Sequence, residues 1–361
     1  MKIAVVRNRS YDGVFSRLGQ PCPERYGRRS VQSVLNALRT GGHTVEVFEG
    51  DVNLLVKLQE FIPPDPVNGQ STGMVFNLAY GIQGDARYSQ VPGILEMAGI
   101  PYTGPGPQSH AICLDKYVTK LLLQHHGILT PRFKLVAGSK EPVEGLRYPL
   151  IVKPRHESTS LGIRVVNTSQ ELEAAVEAVL TEFQQEALVE EYIDGREVAI
   201  GLLGTKAVEV LPAVELVFDE REIKVLTKPD KFHRSDTEPR KICPAPMDED
   251  MTTRLQEVAI TSYRICDCRD YARIDIRLDH DGNPYVLEIN SMATLGRKGG
   301  FVLAARKAGY SFKRLIWHIV DLAHERYFGC PAQRGFDIDA KVERNSVRAG
   351  KSITHPSESD I

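Results

Sequence analysis

The sequence predicts an α/β (α+β) protein with an open parallel sheet first, a small α+β lobe next and an antiparallel-sheet lobe last. Three observations predict it. Strand and helix signals alternate over the first hundred residues, the pattern of a parallel sheet with crossover helices. The stretch 146–204 mixes short strands with one helix around a turn signal. The stretch ARIDIRLDHDGNPYVLEIN (272–290) reads as two alternating strands around Asp281-Gly282, a strong hairpin signal. A chain of 361 residues with 42% hydrophobic content can bury a core divided into two or three lobes.

The elements follow in order. KIAVV (2–6) is an apolar run that reads as a buried strand, too short for the core of a signal peptide. Ser30–Leu38 is helical and ends at Gly41-Gly42; HTVEVFEG and GMVFNL supply the next two strands. VPGILEMAG is a helix with a glycine stop, and IPYTGPG a turn-rich break. Ser109–Gly127 reads as one helix, LRYPLIVKP as a strand and IRVV as another. Thr168 and Glu171 form a capping box that opens a helix to about Gln185. ALVEEYI and EVAIGLLG flank Asp194-Gly195 and read as a hairpin. Helices are expected from Asp248 to Cys266 and over Phe312–Tyr327, followed by a polar tail, 329–361, expected to be disordered.

Bulk properties narrow the partners. A net charge of -2 argues against bulk nucleic acid or an anionic membrane, and no apolar run approaches the length of a bilayer span. The expected compartment is the cytoplasm. Six scattered cysteines are expected to be plain thiols, and Cys266-x-Cys268 lacks zinc spacing.

With Asp281-Gly282 as a two-residue loop, Asp275 pairs with Glu288 and Arg273 with Asn290. One face then carries Arg273, Asp275, Arg277, Glu288 and Asn290; the other carries Ile274, Ile276, Leu278, Tyr285, Leu287 and Ile289. Like charges face to face destabilise a sheet. Two carboxylates beside an amide oxygen suit a hard cation that keeps waters and phosphate oxygens. The neighbouring arginines also suit a solvated ion-pair net. Lys153, entering the hydroxyl-rich loop PRHESTSLG, suggests a phosphate cradle without the P-loop spacing. Glu190, Glu191 and Glu197 suit an adenine amino group and ribose hydroxyls, or else a charged edge. Lys116 and Glu24 read alone as a solvated lysine and a helper acid before a helix.

Taken together, these pieces resemble the ATP-grasp superfamily, and within it the D-alanine–D-alanine ligase family, over about residues 1–328. The resemblance is carried by VFNLAYGIQGD, VPGILEMAGIPYTGPG with LDKYVTKLLLQHHGILTPRF, PLIVKPRHESTSLGI, VEEYIDGREV and RIDIRLDHDGNPYVLEIN, in that order. It implies a three-domain ATP-grasp fold: 1–104 an N-terminal substrate domain, 105–193 a central lobe, and 194–328 a C-terminal lobe holding the metal and catalytic site. It implies ATP as cosubstrate, with two Mg²⁺ ions or Mn²⁺ in their place, held by Asp275, Glu288 and Asn290. Lys116 and Lys153 would touch phosphates or adenine, Glu190 the adenine amino group, and Glu197 the ribose. Glu191, Tyr192 and Ile193 would supply a backbone contact strand. Arg273 would stabilise the transition state, Thr159 would stand for a loop-ordering serine, and Glu24 would hold the first substrate's ammonium. Partners would be amino-acid-like small molecules, and family members are often homodimers.

The sequence also departs from that pattern. Tyr80 stands where the family usually has histidine, and Asp85 where it has glutamate. The loop 218–235 lacks the lid's tyrosine–lysine pattern. SMATLGRKGG places Gly299-Gly300, beside Arg297 and Lys298, where a Ser-Leu pair usually receives the second substrate. Tyr80, Arg297 and Gly299 are therefore the expected substrate-binding departures. The implied activity is a carboxylate–amine ligase with altered substrates. An ATP-grasp kinase and a nucleotide-binding regulatory module are the alternatives.

Overall fold

The computed structural model describes residues 1–332 except 11, 18–21, 23, 220, 227–229 and 231–237. Most of the tail expected to be disordered and half of the loop 218–235 lie outside the described residues.

β1 (Lys2–Arg7), β2 (Thr44–Glu49) and β3 (Gly73–Leu78) form a parallel sheet in the order β2-β1-β3. Ile3, Ala4, Val5 and Val6 are 0% exposed. A central strand covered on both faces reads as a continuous apolar run, and KIAVV is such a run. α1 (Arg28–Thr40) covers the Ile3 and Val5 face. α2 (Leu54–Phe61) and α3 (Gln90–Met97) cover the Ala4 and Val6 face. The sequence reading missed α2, a helix of 8 residues without a side-chain N-cap. Pro101–Thr103, expected as a plain break, runs beside Val75 through two backbone hydrogen bonds of 2.8 and 3.0 Å.

The second sheet holds β4 (Phe133–Val136), β5 (Leu150–Pro154), β6 (Arg164–Val166) and β7 (Ala187–Glu191), antiparallel in the order β4-β7-β5-β6. α6 (Ser169–Phe183) packs on one face. Its capping box is formed: Thr168 accepts from the Glu171 N–H at 3.2 Å, and Glu171 accepts from the Asn167 N–H at 2.7 Å.

The third sheet runs β11 (Arg240–Ile242), β10 (Val214–Val217), β8 (Arg196–Gly204), β12 (Asp270–Leu278) and β13 (Pro284–Asn290), with β9 (Val208–Val210) beside β8. α7 (Glu249–Ile265), capped by Asp248, covers one face. α8 (Gly300–Lys307) and α9 (Phe312–Phe328) follow.

Three expectations need correction. The helix expected over 109–127 is two, α4 (Pro107–Leu114) and α5 (Lys116–His125). Asp115 between them is extended (ψ 95°), and its carboxylate accepts from the N–H groups of Tyr117 and Val118 at 3.1 Å each. An N-capping acid starts a new helix where periodicity alone runs on. The hairpin expected across Asp194-Gly195 does not exist: β7 pairs with β4 and β5, and β8 with β9, β10 and β12. Local turn chemistry bends the chain, but burial chooses the partner strand. Gly195, at φ 143°, lets the chain cross from one sheet to the other; a Cβ there would lie 1.9 Å from the Leu278 carbonyl oxygen.

The third correction concerns the β12–β13 turn. Its strand ends are Leu278 and Pro284, so the loop has five residues, and Asp279 organises it by accepting from the N–H groups of Asp281 and Asn283. A β-bulge after Asp275 then shifts the register by one. The two departures cancel, and Asp275 faces Glu288 as expected. On the turn side of the bulge the faces change. Val286, not Leu287, pairs with Ile276 and is 0% exposed, while Tyr285 pairs with Arg277.

α9 returns to the N-terminal region and packs on α1. Trp317 donates to the Ala37 carbonyl at 2.7 Å and is 5% exposed. Trp317 is the chain's one tryptophan. Trp317→Ala is expected to cost about 3–5 kcal/mol of stability, measured as a lowered urea midpoint. Trp317→Phe keeps an aromatic ring but loses volume and the hydrogen bond, and is expected to cost less than Trp317→Ala, about 1–3 kcal/mol.

Candidate active site

The three sheets meet at a cleft of about 590 Å³. Glu24, Tyr80, Ser158 and Thr159 line one side, and Glu197, Arg273, Asp275 and Asn290 another; Arg297, Lys298, Gly299 and Gly300 close an end. A smaller side cavity of about 40 Å³ reaches Lys116 and Glu288 from the same Glu24 and Asn290.

The acidic hairpin is only partly neutralised within itself. Arg273 grips Asp275 with two bonds of 2.6 and 2.7 Å. The Asn290 amide donates to Asp275 at 2.9 Å and to Glu288 at 3.4 Å. Arg273 is held well above its ordinary pKa: burial opposes its charge, but Asp275 outweighs that. Among the described residues no group of three or more His, Cys, Asp and Glu is arranged for a metal. The donor set is instead two carboxylates and one amide, and the amide already bridges both acids. Turning that amide brings its oxygen to the same point. The set fits a hard divalent cation that keeps water and phosphate oxygens as further ligands.

Lysines stand opposite. Lys116 is 8% exposed, Lys120 1% and Lys153 6%. Lys120 lies 2.8 Å from one Glu190 oxygen, and Lys153 is paired with the other. Lys116 donates to the Glu157 carbonyl. Burial pulls both Lys116 and Lys120 down to about 8, against the opposing pull of Glu288 and Glu190 respectively. Burial opposes the Glu190 charge, but Lys120 and Lys153 hold its carboxyl below its ordinary range. Sequence reading gave Glu190 to an adenine amino group; the structure gives its carboxylate to two lysines. Lys120 was missed, although it sits one helical turn from Lys116 in KYVTK and so shares its face.

The strand β7 turns Glu191 outward, where Arg147 donates to it at 3.2 Å. Tyr192 and Ile193 meet Arg277: its guanidinium lies 5.3 Å from the Tyr192 ring and donates to the Ile193 carbonyl at 3.1 Å. Arg277 also donates to Glu197. Arg277 was read only as a member of the polar face; it is 3% exposed.

Glu24 is 9% exposed and accepts from the hydroxyls of Tyr88 and Ser158. Thr159, expected to stand for a loop-ordering serine, lines the cleft beside Ser158 at φ 55°. Tyr80 stacks on Tyr26 at 5.4 Å, with ring planes 9° apart, and Tyr88 tilts against it at 5.3 Å. Burial pushes the Tyr80 and Tyr88 hydroxyls well above their ordinary range, so both are neutral donors. Arg297 lies over the Phe312 ring at 5.2 Å, and Gly299 caps α8 at the cleft. Tyr26, Tyr88 and Arg87 escaped the sequence reading because only the fold brings them together. No helix among the described residues is long and apolar enough to cross a membrane.

Comparison with known proteins agrees with this arrangement. The family model described as D-ala D-ala ligase C-terminus matches residues 123–321. An uncharacterized protein of Sinorhizobium fredii, y4sG, is 46% identical over 91% of this chain and 98% of its own length. A D-alanine–D-alanine ligase of Mannheimia succiniciproducens is 32% identical over 81% of this chain and 92% of its own. Among solved structures, the Bacillus anthracis D-alanine–D-alanine ligase complexed with ATP superposes with a TM-score of 0.70 at 21% identity, covering 91% of this chain and 98% of that one. The Coxiella burnetii enzyme gives 0.69 at 21% identity, covering 98% and 99%. The chain has the ATP-grasp fold and belongs to the D-alanine–D-alanine ligase family.

Proposed function

We propose that the protein is an ATP-dependent ligase that joins the carboxylate of one amino-acid-like substrate to the amine of another, giving ADP and phosphate. The observation that carries this reading is the Asp275–Glu288–Asn290 donor set with Arg273: Asp275, Asn290 and Arg273 share one cleft with Glu24 and the Gly299 end, and Glu288 lines the side cavity that adjoins it at Glu24 and Asn290. Lys116 and Lys153 are assigned to the nucleotide, Glu197 to its ribose, and Glu191, Tyr192 and Ile193 to the base through their backbone. Glu190 acts by holding Lys153 and Lys120 in place. Asp275, Glu288 and Asn290 would hold Mg²⁺, or Mn²⁺, which supplies charge neutralisation at phosphate oxygens. The division at 1–104, 105–193 and 194–328 and a cytoplasmic location belong to the same proposal.

A carboxylate is a poor acyl donor until its oxygen becomes a leaving group. The first substrate's carboxylate attacks the γ-phosphorus, the bond to the β-bridging oxygen breaks, and ADP leaves. The second substrate's amine then attacks the acyl carbon, loses a proton and expels phosphate. Such transfer needs positioning and charge stabilisation above all. Glu24 holds the first ammonium beside the tyrosine wall, Arg273 neutralises charge near the acyl phosphate, and Arg297 with Gly299 receives the second substrate. Tyr80 in place of histidine and Gly299-Gly300 in place of a Ser-Leu pair support substrates other than two D-alanines.

Phosphate release is expected from Mg-ATP with a matched pair of amino acids drawn from a panel of both chiralities, and only when both are present. Phosphate kept on an organic product would establish the kinase reading instead. Glu288→Gln is expected to lower turnover at least ~10²-fold, with a melting curve like the parent's. Unchanged nucleotide consumption in that variant rules out the metal assignment.

The pH dependence has a definite sign. Lys116 binds phosphate only while protonated, and in the free protein both it and Lys120, which shares Glu190 with Lys153, lose their protons as pH rises through about 8. Mg-ATP affinity, by calorimetry, is therefore expected to be full below pH 8 and to fall above it. Lys116→Met removes part of that fall. Because these lysines titrate below their unfolded value, stability itself is expected to rise over the same window.

A further inference from the structure

We infer that Arg87 is a positioning residue that locks the phosphate-side loop 155–160 onto the Glu24 pocket, so that both substrate-facing groups move as one body. The inference rests on the ligase reading for its catalytic meaning only; the lock itself is a matter of contacts.

Arg87 lies in the short helical turn Arg87–Ser89, before α3, and is 2% exposed. Its guanidinium donates to the His156 carbonyl at 2.9 Å and to the Glu157 carboxylate at 3.2 Å, and lies 3.9 Å from Glu24. The next residue, Tyr88, donates to the same Glu24 oxygen as Ser158. Two consecutive residues of the N-terminal loop thus hold three consecutive residues of the phosphate-side loop. Glu157, 2% exposed, also accepts from Gln185 at 2.9 Å, just past α6, and its carbonyl accepts from Lys116. The start of α5, the end of α6 and the N-terminal loop therefore converge on residues 156–158.

The loop needs holding. Thr159 and Ser160 sit at φ 55° and 56°, a left-handed conformation that side-chain-bearing residues adopt at a cost. Such backbone persists where its surroundings over-determine it. The anchor is itself fixed. Gly81, at φ 83°, lets the chain fold so closely that a Cβ would lie 1.8 Å from the Arg87 carbonyl oxygen. A buried guanidinium is costly unless its hydrogen bonds and charge are met. Here a carbonyl and a carboxylate meet its two terminal nitrogens, while Nε is buried without a hydrogen-bond partner among the described residues; lysine cannot copy the two-pronged contact.

Hydrogen exchange on the whole protein, free and with Mg-ADP, tests the lock without reference to turnover. In Arg87→Met, exchange of peptides covering 155–162 is expected to rise ~10-fold or more while β1 and β8 exchange as in the parent. Mg-ADP affinity by calorimetry is expected to fall ~10-fold. Glu157→Gln keeps the side-chain shape and is expected to loosen the same peptides. The double variant is expected to be no looser than the worse single variant. Arg87→Lys restores the Glu157 contact alone and is expected to fall between parent and Arg87→Met. Unchanged exchange at 155–162 in both single variants overturns the inference, as does additive loosening in the double. So does loosening spread evenly over all three sheets. If the lock behaves as stated but no amino acid pair yields phosphate, the ligase reading fails and the lock stands.

Discussion

A carboxylate buried between two ammonium groups is the interaction on which the cleft depends. Glu190 is 3% exposed, and its charge makes it possible to bury Lys120 and Lys153 in one wall. Unpaired, either lysine would shed its proton or turn to solvent. Held, Lys120 keeps its charge near enough to Glu288 to be affected by it. The hairpin obeys the same rule from the other side: Arg273 pairs with Asp275, and the Asn290 amide donates to both acids. Two acids with one guanidinium keep a net negative charge there, and two lysines with Glu190 keep a net positive one. Under the proposed function, a phosphate chain with its cation would meet both.

The division between what the sequence disclosed and what it withheld follows range. Asp275, Glu288 and Asn290 were legible because strand alternation is local and the acids stand out on it. The agreement was partly good fortune, since a longer turn and a bulge offset one another. Local turn chemistry misled the reading at β7 and β8, where a strong turn signal joined strands that belong to different sheets. Lys120 and Arg87 were passed over for one reason: a basic residue on a helix or turn is solvated by default. Only the fold reveals an acid waiting for each. The Ser158–Glu24 contact was not legible because its partners stand 134 positions apart and only the fold joins them.

The two ends of the cleft differ in kind. The side proposed for the nucleotide is built from strands and helices whose side chains are locked by ion pairs. The side proposed for the substrates is built from a tyrosine cluster, a loop in left-handed conformation and a glycine-led helix start. Sites on rigid elements change little without loss of the fold, whereas loops accept substitution. A family that keeps one chemistry and varies its substrates would concentrate its changes where Tyr80, Arg297 and Gly299 stand.

The packing of α9 on α1 has a consequence for synthesis. α1 covers the Ile3 and Val5 face of the first sheet, and α9 in turn packs on α1, where Trp317 donates to the Ala37 carbonyl. These two residues stand 280 positions apart. Units usually fold as they leave the ribosome, amino end first. Here the first unit can close its sheet early, but α1 waits for its own cover until α9 has been made. The order of translation, and not only the final contacts, sets how long that side of α1 is open.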